Sequence, residues 1–108
     1  MQLILIKNRQ EEHFTEECKI YRLGNGCIVT IQVNYTDLQN KPVSSFTSKH
    51  FAVTKKSVTL EQNFKRALRF LHYDKKEVKA LAKELMETLG ENADIINKVE
   101  ETPILNKG

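Results

Sequence analysis

The chain has 108 residues, of which 40% are hydrophobic and 29% charged, and its formal net charge is +3. This length predicts one domain, and the composition is that of an ordinary globular chain that can bury a core. The longest apolar run, residues 3–6, is far too short to cross a bilayer, and the N-terminus lacks the features of a secretory signal. We therefore expect a cytoplasmic protein.

Charge is sorted along the chain. Residues 49–83 hold ten Lys/Arg and three Asp/Glu, a net of +7, whereas residues 84–108 hold two and six, a net of −4. A clustered basic surface attracts phosphates or an acidic partner. Two alternatives stay open: the basic block is only a solvated face, or the acidic C-terminal segment neutralises it.

The first half of the chain predicts strands. Residues 1–7 contain a continuous apolar run, as expected of a central strand that is covered on both faces. Residues 8–17 are polar and acidic and predict a loop. Residues 45–55 predict a further strand, whose imperfect alternation would be reconciled by a bulge near Ser48.

A hairpin is the clearest short-range signal. Two apolar segments flank Gly24-Asn25-Gly26, and the second alternates cleanly between apolar and polar positions. A three-residue loop, with Gly26 in the left-handed conformation, would place Leu23 opposite Cys27 and join the apolar positions of the two strands. This register puts Cys18 and Cys27 on opposite faces, too far apart for a disulfide.

The second half predicts helices with clear starting points. Thr59 with Gln62, and Asp74 with Glu77, have the spacing of capping boxes. Gly90 is a natural end for the second helix. A third helix would be capped by Asn92 and would carry the apolar residues Ile95, Ile96 and Val99.

These elements predict a single α+β domain over residues 1–108. A sheet of three or four mainly antiparallel strands, within residues 1–56, comes first. Three helices, within residues 59–101, pack on one face of the sheet, and residues 102–108 are expected to fray. Because one layer of short helices covers only one face, a homodimer through the other face is an open alternative.

Residues 67–78, Ala-Leu-Arg-Phe-Leu-His-Tyr-Asp-Lys-Lys-Glu-Val, resemble the UBA-like three-helix family, which includes the C-terminal domain of RuvA. The resemblance extends over residues 59–101, and at the corner where the family has glycine this chain has His72. Members are mostly protein-binding modules, so the resemblance implies a protein partner. The layout of residues 19–72 is also similar to that of small accessory proteins of Gram-positive phages, including some anti-CRISPR inhibitors.

The predicted binding surface lies on the first two helices. At about 100° per residue, Lys65, Arg69 and His72 form a stripe roughly opposite the apolar stripe of the first helix. The lysines of the second helix face away from its apolar residues. The binding residues that we predict are Lys65, Arg66, Arg69, His72, Tyr73, Lys75, Lys76 and Lys79.

The sequence therefore predicts a small non-catalytic module that docks on a larger protein, either acidic or nucleic-acid-handling. A phage or mobile-element inhibitor or adaptor would act in this way. Direct binding of DNA or RNA by residues 49–83 is the alternative, with contacts mainly to phosphate. No nucleophile motif, glycine-rich phosphate loop or metal-ligand spacing is readable, so we expect no enzyme activity, cofactor or metal.

Overall fold

The computed structural model describes residues 1–55, 57–91 and 96–99, with side chains for residues 1–55 and 57–88. Its elements in chain order are β1 (Gln2–Glu11), β2 (Phe14–Leu23), β3 (Gly26–Thr36), β4 (Pro42–Phe51), α1 (Leu60–Phe70), α2 (Lys75–Glu91) and β5 (Ile96–Val99). The strands form one sheet in the order β4-β3-β2-β1-β5. The first four strands pair antiparallel, and β5 pairs parallel with β1. The predicted α+β class, with the antiparallel strands preceding the helices, is confirmed.

The core lies between one end of the sheet and the two helices. Its fully buried members include Ile20 and Val29 from the sheet and Phe64, Leu68 and Leu85 from the helices. α1 packs against β3 and β4, and α2 packs against α1. The principal extents are 50 × 25 × 24 Å, and the strands continue beyond the helices toward the turn that joins β1 to β2.

The predicted loop over residues 8–17 is wrong, because β1 and β2 extend through most of it. Their register pairs Arg9 with Glu16, and Glu12 and His13 join the two strands. Opposite charges on facing positions stabilise an antiparallel pair. The polar stretch that predicts a loop therefore forms paired antiparallel strands over most of its length.

The hairpin between β2 and β3 is confirmed, but its predicted three-residue loop is wrong. Leu23 pairs with Gly26 and Arg22 pairs with Cys27, so the loop consists of two residues. Gly24, and not Gly26, has the positive φ, +62°. A glycine with positive φ at the first loop position is typical of a type II′ turn, whose twist matches that of the strands.

The corrected register moves both cysteines to the same face of the sheet. Cys18 pairs with Ile31, which shares the helix-covered face with Cys27. An offset of four residues along the strands still separates the two by about 13 Å, and both are buried free thiols. Burial raises the pKa of the Cys27 thiol to about 12, which keeps this group protonated and unreactive.

The predicted bulge near Ser48 is wrong, because β4 pairs with β3 in one unbroken register. The irregularity in the described strands lies in β1, where the register with β2 shifts between Leu3 and Leu5. Ile4 is the extra residue there, and both Ile4 and Leu5 are fully buried. A bulge thus lets two consecutive apolar side chains enter the core.

The third predicted helix is wrong at Ile96 and Val99, which lie in β5. β5 adds a short parallel strand beside β1, and both of these β-branched residues fit a strand. Asn92, Ile95 and residues 102–108 lie outside the described residues.

Asn63 links the helices to the sheet. It is fully buried, and its Nδ2 donates a hydrogen bond of 2.8 Å to the backbone oxygen of Asn25 in the β2–β3 loop. Its Oδ1 accepts a hydrogen bond from Arg66 Nη1 at 3.4 Å. Buried polar groups require such partners, so Asn63 fixes the position of α1 over the hairpin.

Candidate functional site

Two capping boxes fix where α1 and α2 begin, as predicted. At α1, the Thr59 N–H donates to Gln62 Oε1 at 2.9 Å, and the Gln62 N–H donates to Thr59 Oγ1 at 3.2 Å. At α2, the Asp74 N–H donates to Glu77 Oε1 at 3.2 Å, and the Glu77 N–H donates to Asp74 Oδ1 at 2.8 Å. Two of the three carboxylates in the basic block are therefore engaged in capping.

α1 ends in a sharp corner at His72. The φ of His72 is +67°, its N–H donates to the Arg69 oxygen at 3.0 Å, and the Tyr73 N–H donates to the Leu68 oxygen at 3.2 Å. These bonds form a Schellman motif, in which glycine commonly occupies the left-handed position. The motif turns the chain at once into α2 and places the two basic helices side by side.

The basic side chains of the two helices converge on one open groove between them. This basic groove has a volume of about 450 Å³. Its lining consists of four cations and two apolar side chains: Lys65, Arg69, Lys75, Lys79, Tyr73 and Val78. Tyr73 is 7% exposed and Val78 4%, so they form a buried apolar wall among exposed or half-exposed charges.

The basic surface continues across α1 toward the sheet. A second cavity, of about 320 Å³, is lined by Lys65, Arg66 and Arg69 together with neutral side chains. The Arg66 guanidinium lies 5.3 Å from the centroid of the Phe51 ring, and Lys49 Nζ lies 5.9 Å from the same centroid. Both distances suit cation–π contacts, so Phe51 links the cations of α1 to β4.

Of the eight predicted residues, five line the basic groove and Arg66 lines the second cavity. His72 and Lys76 are exposed and line neither cavity. Tyr73, which we expected as a contact at the corner, contributes as a buried wall.

Sequence reasoning missed Lys7 and Lys49 as neighbours of this surface. Lys7 Nζ, on β1, lies 4.4 Å from the centroid of the Tyr73 ring. No local pattern predicts this contact, because it depends on how the corner between α1 and α2 lies over β1. Lys49 belongs to the basic block, but only the strand register shows that it approaches Phe51 beside Arg66.

Few charges of the basic groove are paired. Lys65 Nζ lies 3.4 Å from Glu61 Oε2, one helical turn away. Arg69, Lys75 and Lys79 form no ion pair with any carboxylate of residues 1–55 and 57–88. Neutralisation by the acidic C-terminal segment stays a prediction for Glu91, Asp94, Glu100 and Glu101, whose side chains lie outside the described part of the chain.

The cations at the start of α2 oppose the electrostatics of their own helix. Lys75 and Lys76 are its first two residues, where the positive end of the helix dipole disfavours positive charge. Lys75 and Lys79 also stand one turn apart, and like charges at this spacing repel. Both effects lower the stability of the first turn of α2.

Two other classes of site are not seen in the described part of the chain. No three His, Cys, Asp or Glu side chains there could together hold a metal ion. None of the helices in these residues combines the length and the apolar character needed to cross a membrane.

Comparison with family models, with curated proteins and with solved structures finds no match. The resemblances to UBA-like domains and to phage accessory proteins therefore stay predictions.

Proposed function

We propose that this protein is a small non-catalytic module that docks on a larger protein through the basic groove between α1 and α2. The observation that carries the proposal is the set of four cations around the buried wall of Tyr73 and Val78. A matching partner presents an acidic segment, whose carboxylates pair with the cations. An apolar side chain of the same segment packs against the wall, as anchor residues do in protein interfaces.

The aromatic residues of this surface favour a protein partner over single-stranded nucleic acid. Stacking of bases requires open aromatic faces. Tyr73 and Phe51 are each only 7% exposed, and Phe70 packs edge-on against Phe51 with ring centroids 5.9 Å apart. The surface thus offers charge and an apolar wall, but little area for stacking.

The likeness in layout to phage accessory proteins supports a more specific form of this role. In that form the module is an inhibitor or adaptor of a protein that handles nucleic acid, and it docks on an acidic surface of that protein. The groove itself determines only the chemistry of the partner's segment, which is acidic and carries an apolar anchor.

Direct binding of nucleic acid is the second candidate, and a different observation favours it. The cations extend beyond the groove through Arg66 to Lys49, so the surface presents a track rather than a single pocket. A track of cations matches a chain of phosphates, and such binding weakens steeply as salt displaces the counterions.

The test compares two ligands of similar charge. One is an acidic peptide with interspersed Leu and Phe, and the other is a random-sequence oligonucleotide, single-stranded and duplex, at two salt concentrations. The proposal predicts that the peptide binds and that Arg69→Glu and Lys79→Glu each weaken it at least about tenfold, a change of about 1.4 kcal/mol.

Lys41→Glu is the matched control. It makes the same charge change at an exposed site in the loop between β3 and β4, so it should leave peptide binding unchanged. Equal peptide binding by the groove variants and the wild type, with all of them folded, would overturn the proposal. Oligonucleotide binding with a steep salt dependence, and no peptide binding, would establish the second candidate instead.

A further inference from the structure

β4 is the edge strand of the sheet on the side away from β5. Natural edge strands usually carry charges, prolines or bulges that prevent pairing with another strand. β4 has Pro42 and Lys49 near its two ends. The six residues between them, Val-Ser-Ser-Phe-Thr-Ser, contain no charge and no proline, and their register with β3 is unbroken. In the part of the chain that the structure describes, this edge is therefore open to a further strand.

The hairpin register shows which backbone groups lie at the open edge. Leu23 and Gly26 close a two-residue loop, so they form a hydrogen-bonded pair. Alternation then turns the odd-numbered residues of β3 toward β4, where their partners are also odd-numbered. The N–H and C=O groups that point away from the sheet belong to Ser44, Phe46, Ser48 and His50.

We propose that two copies of the chain pair antiparallel through their β4 edges, about a two-fold axis at Thr47. In this register Ser44 pairs with His50 of the second copy, and Phe46 pairs with Ser48. Every outward N–H and C=O of the four residues then has a partner. If the axis moved by one residue along β4, the hydrogen-bonded pairs would have to include either Pro42 or Ala52. Pro42 has no N–H to donate, and Ala52 lies beyond the strand.

The side chains of β4 also suit a second copy. Phe46 is 64% exposed on the face that the helices do not cover. Across the proposed axis the two Phe46 side chains stand on a diagonal, within reach of each other for aromatic residues. Lys49 would face Ser45 of the second copy, so the two lysines do not oppose each other. The strand is thus complementary to itself in shape and charge.

A charge swap at Thr47 tests the axis directly. The wild type is expected to sediment at twice the chain mass of 12.5 kDa. Thr47→Glu and Thr47→Lys each place like charges opposite each other, so each variant alone should sediment at half the wild-type mass. An equimolar mixture of the two should recover the dimer, because Glu then meets Lys.

Thr15→Glu and Thr15→Lys are the matched controls, because Thr15 is exposed on the inner strand β2. These two variants should sediment at the same mass as the wild type. Hydrogen exchange on the wild type is a second, mutation-free measurement. The amides of Phe46 and Ser48 should be protected at high concentration and should exchange rapidly on dilution. A wild-type monomer at all concentrations, a mixture that stays monomeric, or rapid exchange of these amides in a dimer would each overturn the proposal.

Discussion

The two ends of the sheet differ in how far their charged side chains form ion pairs. At the end beyond the helices, Arg9 Nε lies 3.8 Å from Glu16 Oε1 and 4.0 Å from Glu11 Oε2. On the face of the sheet that the helices do not cover, Lys19 Nζ lies 3.2 Å from Glu17 Oε1. At the helix-covered end, cations from two helices share one groove with a single ion pair, to Glu61, among the described side chains.

The difference indicates what each end is for. Exposed ion pairs contribute little to stability. Of these pairs, Arg9 with Glu16 joins facing positions of two strands, where opposite charges favour the pairing. The cations of the groove stand beside an apolar wall, an arrangement that would suit the proposed acidic partner with an apolar anchor. We therefore interpret the end of the sheet beyond the helices as structural, and the helix-covered end as the proposed binding surface.

The largest loss of stability is expected at Val29, and Val33, on the same face of β3, provides the comparison. Val29 is fully buried beneath the helices, whereas Val33 lies beyond them and is half-buried. Val29→Ala should lower the free energy of unfolding by roughly 2–3 kcal/mol, and Val33→Ala by less than about 1 kcal/mol. Urea denaturation measures both, and equal losses would contradict the placement of the core at one end.

Asn63→Ala should have the next largest effect, a loss of about 1–3 kcal/mol, because it removes the part-buried hydrogen bond from this buried side chain to the Asn25 backbone oxygen. Asn34→Ala is the control, since Asn34 is exposed on the same sheet and should change stability by less than about 0.5 kcal/mol. Thermal or urea unfolding gives both values. A loss at Asn63 no larger than that at Asn34 would show that the hydrogen bond does not anchor α1.

His72→Gly should stabilise the protein by about 1 kcal/mol, because glycine adopts the left-handed conformation at the corner without the steric cost of a side chain. His50→Gly, at a strand position with ordinary backbone, should instead destabilise. A loss of stability from His72→Gly would mean that the His72 side chain contributes more than its strained backbone costs.

Arg9→Ala should have the smallest effect, a loss below about 1 kcal/mol, because its ion pairs are partly exposed. The loss should shrink at high salt, which screens such pairs. Urea denaturation at low and high salt measures the change. A large loss that salt does not alter would indicate that packing of Arg9 on the Phe14 ring, 4.7 Å away, dominates instead.

Local signals predicted the elements well where the stabilising contacts are local. The capping boxes at Thr59 and Asp74 and the turn signal at Gly24-Asn25 all lie within a few residues of the groups they bond. These signals were enough to predict the α+β class and the convergence of most of the cations. Once the first residue of a helix is known, its periodicity fixes which side chains share a face.

The errors arose where long-range pairing decides the structure. The slip at the β2–β3 loop changed which residues share a face, because side chains alternate along a strand. The polar ends of β1 and β2 are strands because Arg9 and Glu16 meet across them. β5 depends on its pairing with β1, and neither Asn63 nor Lys7 has its partner nearby in sequence.

The substitution Lys75→Glu probes whether the groove cations serve an acidic partner at a cost to the stability of the fold. Lys75→Glu removes repulsion at the start of α2 and places a carboxylate one turn before Lys79. It should raise the free energy of unfolding by about 0.5–1 kcal/mol, while affinity for the acidic peptide falls at least about tenfold. If Lys75→Glu instead left peptide binding unchanged, or stability and binding fell together, the account would be contradicted.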